Sequence, residues 1–223
     1  MSATPDDPAL YNSFLADLLG VMAYGELSAF ERLSSSAGYS PTLHDRAVLG
    51  RMAVDEFQHY ELIRARLEAM GLDTEAAMLP FQPSVDHFHE RTRPADWYEA
   101  LMKAYVIDTV SADFYSAVGI YVDAGTRELI GQVRSTGEST AVLQERLKAA
   151  LADDPRLASR LALWARRLLG EVLTHAQRVS LEHAFLGGLS GLDDADARAL
   201  VGGLTAEFAA NHARRMAGLG LAG

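Results

Sequence analysis

The stretch Leu49-Gly-Arg-Met-Ala-Val-Asp-Glu-Phe-Gln-His-Tyr-Glu-Leu-Ile-Arg-Ala-Arg-Leu67 decides the fold. At spacings of three and four, one face reads Leu49, Met52, Glu56, His59, Ile63, Leu67 and Met70, the period of an α-helix with one side turned inward. A carboxylate and an imidazole interrupt that apolar stripe. Burying an ionised carboxylate costs several kcal/mol, as an order of magnitude, unless a cation or dense hydrogen bonding compensates. Glu56 and His59 are three residues apart, so both project from the same face. Glu-x-x-His is a spacing by which helical bundles bring a carboxylate and an imidazole to a shared metal ion.

Working outward, the preceding helix carries Leu15, Leu19, Met22, Glu26, Phe30 and Leu33 on one stripe, again with a single acid inside it. Glu31 competes, but its neighbours at those spacings include Ser28 and Ser35, which makes Glu26 the better candidate. Glu26 lies about twelve residues before the turn near Gly38, and at a rise of about 1.5 Å per residue this brings it close in height to Glu56. A third stripe runs Met102, Val106, Val110, Asp113, Ala117, Ile120. Asp108, on a face with Leu101, Ala104 and Tyr115, is its rival; Asp113 is preferred for its distance from the next turn. The fourth position is open between two alternatives. Glu138, in Ser135-Thr-Gly-Glu-Ser139, stands at the expected height, whereas Leu157, Leu161, Trp164, Leu168, Glu171, His175 and Val179 form a later stripe with an acid and an imidazole one turn apart. With Glu26, Glu56, His59 and Asp113, the pair Glu171 and His175 makes a donor set of oxygen and nitrogen suited to two hard or borderline ions.

The periodicity predicts an all-α chain. Helices are expected over about 10–35, up to about 70, 95–122, 126–152, 155–186 and 194–216. Residues 72–95 hold Pro80, Pro83 and Pro94 without a sustained stripe and read as a long crossover, while Gly187–Gly191 separate the last two helices. Two short-linked helical hairpins joined by a long crossover are the topology of a ferritin-like four-helix bundle. The expected organisation is one domain over 1–223, a bundle at about 10–152 followed by additional helices at about 155–216.

Composition narrows the function. The 223 residues carry 30 acids against 20 Lys and Arg, a formal charge of -10, and no cysteine. Disulfides, cysteine-ligated metals and cysteine nucleophiles are therefore excluded. No basic flank precedes an apolar core at Met1–Asn12, and no apolar run approaches the roughly 20 residues that cross a bilayer, so a cytoplasmic protein without a membrane partner is expected. The acidic balance disfavours a broad nucleic-acid surface, which needs clustered Lys and Arg.

The bland readings differ from residue to residue. A lone histidine on an apolar face is usually a packed core residue, and His44, His87, His89, His183 and His212 lack a supporting constellation. Glu138, Glu171 and His175 have Arg134, Arg167 and Arg178 as alternative partners. Intruding acids on three successive helices are harder to attribute to chance, because isolated buried acids are rare.

Through Tyr24-Gly-Glu-Leu-Ser-Ala-Phe-Glu31, Asp55-Glu-Phe-Gln-His59 and Ala112-Asp-Phe-Tyr115, the sequence resembles the ferritin-like proteins grouped with the tRNA isopentenyladenosine hydroxylases, in a distant bacterial branch. The likeness extends to Trp97–Tyr105 and Asp154–Trp164 and covers most of the chain. It implies a non-haem diiron monooxygenase that takes two electrons from an external donor, a protein partner among the options, and uses dioxygen to hydroxylate an unactivated carbon. Two irons are the implied cofactor, with manganese as the alternative metal. Glu26, Glu56, His59 and Asp113 match the first three ligand-bearing helices. The second Glu-x-x-His of the family should fall at Ser135–Glu138, where this sequence departs from it at both ends, and His175 is the candidate replacement. A small or carrier-bound substrate is expected ahead of tRNA. A non-catalytic metal-binding role in storage, stress protection or assembly is the alternative class, and a homodimer is compatible with the exposed helix faces.

Overall fold

A computed structural model describes residues 8–134, 137–182 and 194–221, and every secondary-structure element among them is helical. α1 (Pro8–Ser36) and α2 (Leu43–Ala69) form the first hairpin through a short helical turn at Ala37–Tyr39. α3 (Thr74–Met78) and α4 (Gln82–Arg91) follow, then α5 (Trp97–Val118), α6 (Ala124–Arg134), α7 (Gly137–Asp153), α8 (Pro155–Glu182) and α9 (Asp194–Gly218).

Local sequence sets the boundaries. The Thr42 side chain caps α2 by accepting from the Asp45 N–H, Asp73 caps α3 at Ala76, and Asp96 caps α5 at Glu99. Each side-chain oxygen satisfies a backbone donor that has no partner inside its helix. Thr42 thus starts α2. Gly71, at a φ of 74°, ends it in the left-handed region that glycine enters without a Cβ clash.

One expectation requires correction. The crossover is not devoid of helix: α4 is a short amphipathic helix that buries Val85, Phe88 and His89, a stripe too brief to stand out between prolines. The expected fourth helix is described in two parts, α6 and α7, on either side of Ser135–Thr136, which lie outside the described residues, as does the Gly187–Gly191 break.

The core forms two apolar clusters. One gathers Phe14, Leu18 and Leu19 of α1 with Ile63 and Leu67 of α2 and Val118 of α5. The other gathers Leu33 of α1, Leu49 and Met52 of α2, Leu101 of α5 and Leu161 of α8. α1 therefore runs from the first cluster to the second, whereas α2 and α5 each connect them, with α5 antiparallel to α1. Between the clusters lie the middle turns of these helices. By length and composition alone α1 is long and apolar enough to cross a membrane. Half of that apolar window is buried inside the bundle, however, as in the core helix of a packed domain.

Candidate metal centre

Glu26 sits at mid-height on α1, and Glu56 and His59 at mid-height on α2. The inward stripe of each helix continues above and below, so packing of the flanking leucines and methionines fixes where these polar groups point. His59 Nδ1 lies 3.4 Å from Glu26 Oε2 and 3.4 Å from Glu56 Oε2. One ligand atom from each of the three residues falls within 4.8 Å of the others. Ligands on one ion at about 2.1 Å lie about 3–4 Å from each other, which matches this spacing.

Electrostatics point the same way. Burial pushes the Glu56 carboxyl up, opposed by its contact with His59 and reinforced by the Glu26 charge. Burial alone would depress the His59 imidazole, but the two carboxylates outweigh it and raise it far above its ordinary value. A proton on His59 would bridge the two acids, of which Glu56 is itself pushed toward its neutral form. A divalent cation does the same with twice the charge, and the donor set of two carboxylates and one imidazole fits it. Tyr115 of α5 supports the arrangement: its hydroxyl donates to Glu26 Oε1 at 3.3 Å, and burial beside that carboxylate drives the phenol well above its ordinary value.

Asp108 of α5 faces the same space. Its carboxyl is pushed up by burial, is eased by a hydrogen bond from Thr140 of α7, and feels the charge of Glu56. Asp113 is placed elsewhere. Arg215 of α9 holds it in a two-pronged ion pair, 2.6 Å to Oδ1 and 2.7 Å to Oδ2, on the face of α5 that α9 covers. The preference for Asp113 is thus corrected: of the two rivals, Asp108 lines the cavity next to the cluster.

The late pair also separates. Glu171 is bound by Arg91 of α4, with Nη2 2.7 Å from Oε1, which holds its carboxyl below the usual range. His175 Nδ1 lies 2.9 Å from Ser84 Oγ, and its ring packs against Phe88, so it is fixed to α4 rather than to the ligands on α2. Both corrections arise from α4, the helix hidden in the crossover. The Glu138 side chain lies outside the described residues.

A cavity of about 460 Å³ opens beside the cluster, within the size range of small-molecule sites. Glu26, Glu56, His59 and Asp108 contribute to its wall, and Met22, Ile107, Phe114 and Leu143 are among its apolar lining. Three further polar residues on this wall lacked any signal strong enough to single them out: Arg32, His89 and Lys103.

A family profile described as a ferritin-like domain of actinomycetes matches residues 9–192. The chain belongs to this family. The match spans α1 to α8 and agrees with the all-α bundle that the helices build. Among solved structures, the ferritin-like chain is similar to a protein with aldehyde deformylating oxidase activity from Synechococcus, at 18% identity and a TM-score of 0.64, with 96% of each chain covered. That likeness concerns the fold. No curated protein matches the sequence.

Proposed function

We propose that this ferritin-like chain is a non-haem diiron oxygenase or oxidase acting on a small or carrier-bound apolar substrate. The observation that carries the reading is the convergence of Glu26, Glu56 and His59 on the wall of a largely apolar cavity. The oxidase activity of the Synechococcus protein, which shares the fold, is consistent with it. Glu26, Glu56 and His59 would hold the first ion, and Asp108 would contribute to the second. Bound iron supplies the activation of dioxygen, with electrons from an external donor.

The chain's own part is positioning and exclusion. Tyr115 fixes the Glu26 carboxylate through its hydroxyl, leaving Oε2 directed at His59. Thr140 orients Asp108 in the same way. Apolar walls exclude water and strengthen the electrostatics of the site. A tRNA substrate is disfavoured, because a chain of net charge -10 meets a phosphate backbone at an electrostatic cost.

Metal analysis after loading with iron(II) tests the reading. About two irons per chain, with an absorbance change on admitting dioxygen, is the expected result. Redox-silent metal points instead to a storage or assembly role. Metal content that Glu56→Ala and His59→Ala leave unchanged would overturn the site.

A further inference from the structure

The wall of the cavity has two polar regions, and the metal reading uses one of them. Arg32 lies six residues beyond Glu26 on α1, and Lys103 five residues before Asp108 on α5. Because α1 and α5 are antiparallel, both displacements point to the same end of the bundle, about 8–9 Å from the acidic cluster at 1.5 Å per residue. There Lys103 is 6% exposed, with its ammonium 5.5 Å from the centre of the Phe88 ring. No carboxylate pairs with it among the described residues; its charged neighbour is Arg32, of the same sign. His89 is buried beside them, and its Nδ1 has no hydrogen-bond partner. His175 also neighbours His89 and is tied to Ser84.

A buried ammonium without a counter-ion is costly, and Lys103 and the exposed Arg32 place two like charges at one end of an apolar cavity. Burial and Arg32 lower the Lys103 ammonium to about 7, and burial with Lys103 and Arg32 lowers His89 to about 2, leaving its ring neutral. The structural alternative, lysine as a snorkelling core residue, puts the ammonium in water. Here the ammonium is inside, over an aromatic face. What the arrangement lacks is an anion.

We propose that Lys103, with Arg32 and His89 beside it, is a subsite for the carboxylate head of an amphipathic substrate whose apolar chain extends along the cavity to Glu26, Glu56 and His59. The subsite stands on its own geometry; that the far end of the chain is the part that reacts rests on the metal reading above. An anionic head held by a charge-assisted contact orients the chain, and the apolar walls accept its methylenes at about 0.8 kcal/mol each.

Calorimetric titration of decanoate, decyl phosphate and decanol into the iron-loaded and the chelator-stripped chain tests this. Decanoate should bind at least about tenfold more tightly than decanol in both forms. Lys103→Met should abolish that preference while leaving decanol binding unchanged, and Lys103→Arg should restore part of it. The melting temperature of each variant shows whether it is folded. Equal decanoate affinity in the wild type and Lys103→Met, or a wild-type preference for decanol, would overturn the subsite. Tighter binding of decyl phosphate than of decanoate would overturn the carboxylate assignment. Loss of iron binding in Glu56→Ala with the decanoate preference intact is expected if the two sites are separate. A wild-type chain that binds no iron yet keeps the Lys103-dependent preference sinks the metal reading alone.

Discussion

At the scale of the residue, Lys103 makes a prediction about stability that is independent of any ligand. Its ammonium falls from an ordinary 10.5 to about 7 through burial and Arg32. Below pH 7 the folded and unfolded chains both hold this proton, and the folded state carries the whole penalty. Between pH 7 and 10.5 the folded state releases it while the unfolded state keeps it, so this residue's contribution to stability rises with pH. Lys103→Met removes the penalty and should be more stable than the wild type by about 2 kcal/mol at pH 6. That advantage should shrink toward zero by pH 10. Arg32 of α1 and His89 of α4 neighbour the ammonium, His175 of α8 neighbours His89, and all three are common to both chains, so the difference isolates Lys103. Urea unfolding at the two pH values measures it, and an advantage independent of pH would refute the assignment.

Two aspartates on α5 separate the roles of neighbouring acids. Asp113→Asn should leave bound iron unchanged and cost about 1–3 kcal/mol, because Arg215 loses its partner. Asp108→Asn should lower iron content with little loss of stability, since its carboxyl is already strained by burial. Iron analysis alongside thermal melting reads both. Iron loss in Asp113→Asn alone would reverse the pair.

At the scale of the element, the same two residues show what the sequence could reveal. Glu26, Glu56 and His59 were legible because α1 and α2 each bury one stripe, so an acid in that stripe has one place to go. α5 differs: it packs on α8, α7 and α9 as well as on α1, and apolar residues occupy more than one face. Periodicity then says that an acid is inside without saying which neighbour it meets. The stripe chosen for Asp113 even ends at Ile120, which is 64% exposed, while Arg215, its partner, is 102 residues away in sequence. α4 was illegible for a different reason. Its ten residues span under three turns between prolines, so the helix that captures Glu171 and His175 left no pattern to detect.

The crossover also supplies a test of packing. A Cβ placed on Gly20 of α1 would lie 2.2 Å from the backbone oxygen of Ala77 in α3, so this glycine is a contact surface rather than a flexible point. Gly20→Ala should lower stability by about 2–3 kcal/mol despite the better helix propensity of alanine. A control at Gly50, where an added Cβ meets nothing within 4 Å, should instead be neutral or stabilising. Chemical denaturation of both variants checks the pair. Equal stability at the two positions would mean that α3 is not anchored on α1 as described.

At the scale of the whole molecule, the polar layer lies between two apolar clusters, and the fold spans it with the three long helices that connect them. Without a cation, Glu26 and Glu56 are brought together by their neighbours, each with a carboxylate oxygen 3.4 Å from His59 Nδ1. A divalent ion would relieve that layer, and any ion that binds the folded chain alone stabilises it by mass action. At free metal about 100-fold above its dissociation constant, the gain is about 2.7 kcal/mol. For a chain of this length each kcal/mol shifts the melting temperature by about 2–4 °C, so iron(II) or manganese(II) should raise it by about 5–10 °C over the chelated protein. The rise should disappear in Glu26→Gln and in His59→Ala, which remove ligands from different helices, and persist in Glu171→Gln, whose carboxylate is engaged by Arg91. Scanning calorimetry with and without chelator distinguishes these outcomes. A metal-dependent rise that survives both Glu26→Gln and His59→Ala would mean that the ion stabilises some other part of the bundle, and the central polar layer would then be a proton-linked ion pair within the core.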